Sequence, residues 1–573
     1  MVLRGSPILT VSAVVMSLLI LAPIGFLVLG MFWSSSPGRP GELTLAHVQE
    51  ALDISQHATL LTNTLIFAIG STIVAVGIGV VLSFILQRTN TPARKVFDAI
   101  ILFHFVFPSF LTDIAWIFLL SPRNGLLNFF LMRVFGLEAA PFNIYSHEGM
   151  IWSQGLGFGA LAYLLIHPAF GNLDPALEEA ARVSGASIRK SINKITLPIL
   201  YPSILATALF LFMISLRSFE TPTFIGLEGG IRVYMSKVYE SVELTIPPNY
   251  GVATTHAVVL LLMMIAVLLF YLRTTRKLGK YVAVTGKGYR PRLVSLGRWK
   301  YLTFAMASTY LFVAIFLPLG MLTYVSLLPF YTVTRSVVEL ASLQNYSLVL
   351  SDNLLRGAAV NSGLIAVSAA VVTTFAGALL SYTALRTRLR GKRIFEAIGT
   401  LPNGFPGLVF GLALLWTFLT FLRPIYGTPW ALVIAYMVVF LPLSLRSLSN
   451  TMIQLHTELE EAAHVSGASW QQTFRKITLP LIKPALVNTF VLVLIYSYRE
   501  LGTGVLLSGP GMYVVPVLIL FWWRAGQLPV VAAATLIFGG SLILILLLTR
   551  LLLLSKRKPR ESEIKRGPDP SLG

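Results

Sequence analysis

Apolar residues run along this chain in long unbroken stretches, not in the alternating or one-face patterns of water-soluble elements. A hydrocarbon core about 30 Å thick is crossed by roughly 20 helical residues, and a lone segment in lipid must satisfy its own backbone. Runs of that length predict about twelve membrane helices. They fall near 8–32, 60–86, 98–120, 150–168, 199–219, 251–272, 301–328, 357–384, 395–421, 429–447, 482–500 and 530–554. The first run follows Arg4 and is too long for a cleaved signal core, so it reads as a helix that stays. Leu126–Leu137 is too short to cross and is predicted to lie in the interface.

The pattern is written twice. NTLIFAIGSTIVAVGIGVVLSFILQRT begins at Asn63, and NSGLIAVSAAVVTTFAGALLSYTALRT begins at Asn361. Asn63, Ser83, Arg88 and Thr89 map to Asn361, Ser381, Arg386 and Thr387 at an offset of 298, as does Phe107-Pro108 to Phe405-Pro406. Each half supplies about six helices of the same polarity, which predicts parallel repeats about an axis along the membrane normal. The fold expected is therefore an all-α polytopic membrane protein.

A second duplicated segment is closer still. EEAARVSGASIRKSINKITLPILYP (178–202) and EEAAHVSGASWQQTFRKITLPLIKP (460–484) agree at 15 of 25 positions, without a gap, at an offset of 282. Glu-Glu-Ala-Ala favours helix, and its small alanines permit close approach to another surface. Gly185 and Gly467 allow a sharp turn, and Pro198 and Pro480 suit the start of the following membrane helix. Two copies of one surface imply two copies of one partner. From Ala162-Tyr163 to Ala181 the first half has 20 residues, against 29 from Ala435-Tyr436 to Ala463, so a shortened or displaced helix is expected before the first copy.

Composition sharpens this picture. Of 573 residues, 55% are hydrophobic and 12% charged, about half the usual charge fraction of soluble domains. The net charge of +20 would suggest nucleic acid in a soluble protein, but here the basic residues collect in loops. Arg273–Lys300 holds nine Lys or Arg and no acid; Arg386–Arg393 holds five basic residues and Arg88–Lys95 three. The tail adds Lys556, Arg557, Lys558 and Arg560. The positive-inside rule then places both termini, the central linker and the duplicated loops in the cytoplasm. The chain has no cysteine and its eight histidines form no ligand cluster, so no disulfide, thiol nucleophile or preformed zinc site is expected. Gly-Lys occurs at Gly279, Gly286 and Gly391 but never before Ser or Thr, so there is no P-loop.

Glu-Ala-Ala, three residues, Gly, nine residues, Ile-x-Leu-Pro resembles the signature loop of ABC importer permeases, here in two copies. The resemblance implies type I permease architecture and a non-enzymatic chain in a bacterial inner membrane. It also implies two separate ATPase subunits carrying ATP-Mg, and an extracytoplasmic solute-binding protein. In the family this loop holds a coupling helix that docks on the ATPase, which singles out Glu179, Ala180, Ala181 and Gly185, with Glu461, Ala462, Ala463 and Gly467. The fused form is most similar to ferric-iron permeases. LLSPRNGLLNFFL (119–131), YVAVTGKGYRPRLVSLGRWK (281–300) and YSYRELGTGVLL (496–507) carry that likeness. Thiamine, polyamine and phosphonate are the alternative solutes. The domains expected are a first repeat over 1–272 with its coupling loop at 174–198, a basic linker over 273–300, a second repeat over 301–554 with its loop at 455–480, and a basic tail over 555–573. An ion-coupled secondary transporter with two parallel halves, or a scaffold that only binds the ATPase, would also have these helices.

Ionisable groups at membrane depth are costly and mark candidate pathway positions. Arg217 and Arg499 match at the offset of 282, with Glu220 and Glu500 beside them. Each arginine is expected either to snorkel outward or pair with a local glutamate, or else to form a gate or anion-contacting ring at the outer mouth. Asp113, whose counterpart is Gly411, is expected to neutralise Arg217 or to touch a cation. One Asp and two Glu do not make a metal site.

Overall fold

The computed structural model describes residues 7–173, 180–181, 183–278, 293–333, 340–387 and 391–555. The predicted Glu179, half of the central linker (279–292) and nearly all of the basic tail lie outside these residues. The described residues are almost wholly helical, with two isolated bridges, Trp33–Leu43 and Thr89–Val294, as the β contacts.

The first repeat contains α1 (Pro7–Gly30), α2 (Ile54–Arg88), α3 (Arg94–Val106), α4 (Ser109–Leu120), α5 (Leu126–Phe135), α6 (His147–Gly171), α7 (Leu197–Leu216) and α8 (Tyr250–Leu278). The second contains α9 (Gly297–Ser326), α10 (Asn353–Arg386), α11 (Lys392–Gly404), α12 (Gly407–Phe421), α13 (Pro429–Ile453), α14 (Glu458–Val465), α15 (Leu479–Tyr498) and α16 (Leu528–Ser555). Among the described residues ten helices are long and apolar enough to cross a membrane, or twelve if each of two bent pairs counts as one span.

Those pairs correct the expectation of straight helices over 98–120 and 395–421. α3 and α4 meet at 95°, and α11 and α12 at 113°. The breaks fall at the duplicated Phe-Pro. Proline has no N–H to donate and disfavours helical geometry in the residue before it. Phe107 and Phe405 are accordingly extended, with ψ of 135° and 131°.

A second correction concerns the approach to the first duplicated loop. α6 and α13 are both 25 residues long, and their ends correspond at an offset of 282. From Gly171 to Ala181 and from Ile453 to Ala463 the separations are equal, so nothing is missing. Ala162-Tyr163 and Ala435-Tyr436 are a chance match; the residue in register with Tyr436 is Gln154. The offset falls from 298 to 282 because the first repeat carries 16 extra residues between α4 and α6 (298 − 282), and α5 lies within them.

Pro198 and Pro480 stand, as expected, in the first turn of α7 and α15, and each helix is continuous with a π-turn before it, Ile192–Thr196 and Phe474–Thr478. Leu197 donates to the Ile192 carbonyl and Leu479 to that of Phe474, five residues back. The widened turn gives the proline ring room where an α-turn would clash.

The repeats are interlocked. α1 lies against α10 and α12 of the second repeat, and α9 against α4 of the first. Within each repeat the longest interface pairs α2 with α6 and α10 with α13. Gly79 and Gly377 occupy matched points of closest approach. A Cβ on Gly79 would lie 2.5 Å from the Ala162 Cβ, and one on Gly377 would lie 2.1 Å from the Ser444 Oγ. Gly377→Val should therefore force α10 from α13 and cost about 1–3 kcal/mol, lowering the thermal unfolding midpoint of the detergent-solubilised protein. Gly77→Ala, where a Cβ meets open space, should not lower that midpoint and should raise it slightly through better helix propensity.

Candidate functional site

Two constellations carry the duplicated residues. The first is at the end of the molecule that holds the basic loops. There Thr89 pairs with Val294 from the linker, and Arg386 approaches Glu460 at 3.9 Å. α14 closes with a helix-terminating motif: the Ser466 N–H donates to the Ala462 carbonyl at 3.0 Å, and the Ala468 N–H to that of Ala463 at 2.9 Å. The first copy repeats it, with Ser184 donating to Ala180 at 3.0 Å and Ala186 to Ala181 at 2.9 Å. Gly185 and Gly467 have φ of +81° and +83°, and a Cβ on either would meet nothing. The left-handed backbone, not lack of space, is what requires glycine here.

Glu461 is exposed, whereas Glu460 is drawn back, accepting from the Thr478 Oγ1 at 2.7 Å. This ties α14 to the π-turn that leads into α15. Ala180 and Ala462 are exposed, and Ala181 and Ala463 half-buried, the same in both copies. Sequence reasoning missed Val183 and Val465. Each is 90% exposed one turn after the alanines. Their signal was present, since this valine is among the residues retained in both copies.

The second constellation lies between the repeats at the two helix breaks. α3 is 13 residues long, which puts its broken end about 20 Å from the basic loop where it starts. Carbonyls at the end of a broken helix have no intrahelical donor, and in lipid no water replaces it. At the first break the donor is Arg499 of the second repeat. Its Nη1 lies 3.2 Å from the Phe105 carbonyl oxygen, 3.0 Å from that of Val106 and 3.5 Å from that of Phe107. Its guanidinium also stacks 4.7 Å from the Tyr496 ring centroid and 6.0 Å from that of Phe105. At the second break the donor is Arg217 of the first repeat, whose Nη1 lies 3.2 Å from the Asn403 carbonyl oxygen. Asn403 corresponds to Phe105 at the offset of 298, so the exchange is reciprocal. Neither arginine follows the expectation of pairing with its local glutamate.

Asp113 does not pair with Arg217. It is 1% exposed and accepts from the Ser153 Oγ at 2.6 Å and from the Thr221 Oγ1 at 3.0 Å. The matching positions of the second repeat are Gly411, Ala435 and Thr503. There the carboxylate comes from another element: Glu500 accepts from the backbone N–H and the Oγ1 of Thr503, both at 3.0 Å. Both repeats thus place a carboxylate on the same threonine, one from α4 and one from the segment after α15. In register with Glu500 is Ser218, which donates to Gln154 at 2.6 Å. Glu220 makes no hydrogen bond or ion pair among the described residues. Among these residues there is no group of three or more His, Cys, Asp or Glu suited to a metal.

The sequence matches the family of binding-protein-dependent transport system inner membrane components twice, over residues 75–280 and 364–557. It is 28% identical over 452 residues to a putative ferric transport system permease protein of Haemophilus influenzae, covering 78% of this chain and 69% of that protein. A ferric transport system permease protein of Actinobacillus pleuropneumoniae is 26% identical over 72% of this chain, which spans only 59% of it. A second Haemophilus influenzae protein, an Fe(3+)-transport system permease, is 24% identical over 84% of this chain and 87% of its own length. Among solved structures, a bacterial ABC transporter that imports the acidic polysaccharide alginate aligns with 46% of this chain and 97% of its own. At a TM-score of 0.36 and 18% identity it adds nothing to the assignment.

Removing Asp113 should be costly. Asp113→Ala strands the Ser153 and Thr221 hydroxyls and should destabilise the protein by about 1–3 kcal/mol. Asp113→Asn, which keeps an acceptor, should cost less, as read from unfolding midpoints in detergent.

Proposed function

Because the chain belongs to the family of binding-protein-dependent transport system inner membrane components, we propose that it forms the whole translocation pathway of an ATP-driven importer and carries ferric iron inward. Its own sequence holds no P-loop, so the energy comes from two separate ATPase subunits with their ATP-Mg, and the chain binds no cofactor. The observation that carries this reading is the pair of docking elements with the same hydrogen bonds, the same left-handed glycine and the same exposed valine. An ion-coupled transporter would have no use for them. Basic loops at the same end support a cytoplasmic position for the docking elements and both termini. The repeats are taken as 1–272 and 301–554, joined by the basic linker 273–300 and followed by the basic tail 555–573.

In this reading Ala180, Ala181, Gly185, Glu461, Ala462, Ala463 and Gly467 shape the seats for the ATPase subunits, together with Glu179, and Val183 and Val465 enter pockets on them. An extracytoplasmic binding protein delivers solute to the opposite face. Asp113, Arg217, Glu220, Arg499 and Glu500 line the pathway between the repeats. Closure of the ATPase subunits moves the two docking elements together and rocks the repeats about their shared axis. The ferric permeases named above motivate the choice of solute.

In proteoliposomes with the ATPase subunits and the binding protein, uptake of radiolabelled ferric iron should require ATP and the binding protein. Accumulation of thiamine, a polyamine or a phosphonate in place of iron would overturn the choice of solute. Val183→Glu with Val465→Glu places a charge in each docking contact and should reduce co-purification of the ATPase at least about tenfold. Either substitution alone should leave one seat working and a smaller loss.

A further inference from the structure

We propose that Arg217 and Arg499 form a reciprocal latch, each holding the far end of the pathway shut by binding backbone carbonyls at the helix break of the opposite repeat, and both releasing when the pathway opens outward. The proposal rests on the permease reading and adds to it a physical contact that must break in each cycle.

Both contacts cross from one repeat to the other. A bond within one repeat would ride along unchanged if the repeats rocked as rigid bodies. These bonds cannot, because donor and acceptor belong to different bodies. Each arginine follows a 20-residue helix, α7 or α15, about 30 Å long, that starts beside the Glu-Ala-Ala turns, so the contacts lie at the end away from those turns. Closure at this depth seals the side away from the docking elements. The acceptors are also unusual. The broken ends of α3 and α11 present carbonyls at the negative pole of a helix, and proline at Pro108 and Pro406 leaves no following N–H to cap them. All three Arg499 contacts run through Nη1, whose two N–H groups are shared among carbonyls that its positive charge also attracts.

The latch is uneven. Arg499 reaches three carbonyls and stacks on two rings, whereas Arg217 reaches one carbonyl. The Arg217 contact is therefore the first to open, and the Arg499 contact carries most of the hold.

The chain has no cysteine, so one introduced thiol reports alone. Leu401 is exposed on the turn before Asn403, and its side chain takes no part in the latch. In the full permease–ATPase complex, Leu401→Cys should resist a membrane-impermeant maleimide added on the outer side at rest. It should react once the ATPase subunits are trapped with ATP and vanadate. Arg217→Gln with Arg499→Gln should react without nucleotide, at least about tenfold faster than the parent, and its ATP hydrolysis should no longer depend on the binding protein. Arg499→Gln alone should have the larger share of this effect. Equal resting rates in the double variant and the parent, with the ATPase still co-purifying, would overturn the latch.

Arg499→Gln alone decides the matter if the glutamine pair does not assemble. Reaction at an increased resting rate supports the latch; reaction at the parent rate overturns it. Failure of the permease reading looks different: the parent carrying only Leu401→Cys would show no ATP-driven uptake.

Discussion

A helix that breaks inside a membrane exposes carbonyls that nothing in hydrocarbon can satisfy, and the rest of this architecture follows from how that demand is met. The duplicated Phe-Pro bends α3 from α4 and α11 from α12 by about a right angle. Such a bend survives in lipid only where a donor is supplied. Here the donor is an arginine, and it comes from the other repeat. Each arginine is in turn a charge at membrane depth, held by the carbonyls of a broken helix end and, at Arg499, by two aromatic faces. The break needs the arginine, and the arginine needs the break.

This mutual dependence shows what the duplication preserved. Arg217 and Arg499 retain both identity and partner position, as do Gly79 and Gly377 in the helix contacts and Gly185 and Gly467 at the docking elements. The carboxylates have drifted. The first repeat sets Asp113 on Thr221, with Ser153 as second donor; the second sets Glu500 on Thr503, with Gly411 and Ala435 where Asp113 and Ser153 would be. A carboxylate near that threonine is retained while its point of attachment moved. That is how a requirement for charge, as distinct from a requirement for one residue, shows in a duplicated chain.

Much of the fold was legible because membrane helices need only length and hydropathy, and because two copies of a pattern check each other. The apolar segments, their duplication and the two Glu-Ala-Ala turns followed from Asn63, Arg88, Gly185 and their counterparts. What escaped lay in local geometry. Phe107-Pro108 was visible as a repeated pair, yet hydropathy is blind to a bend within an apolar run. Ala162-Tyr163 suggested a shortened helix because two identical residues outweighed the register of a 25-residue element. Arg217 and Arg499 were found by their depth, but their partners are backbone carbonyls, which have no signature in sequence. Asp113 was found in the same way and given the wrong partner, because a charge invites another charge where two hydroxyls were available.

The 16 extra residues that carry α5 belong to one repeat only. They sit at the end away from the basic loops, where the single O–H of Tyr331 in the second repeat is shared between the Phe118 and Asn124 carbonyls beside them, at 2.8 and 2.6 Å. The Glu-Ala-Ala turns at the opposite end share the same hydrogen bonds and left-handed glycine, but this face has no such match. A helix present in one repeat and lacking in the other thus breaks the twofold likeness at this end of the molecule alone.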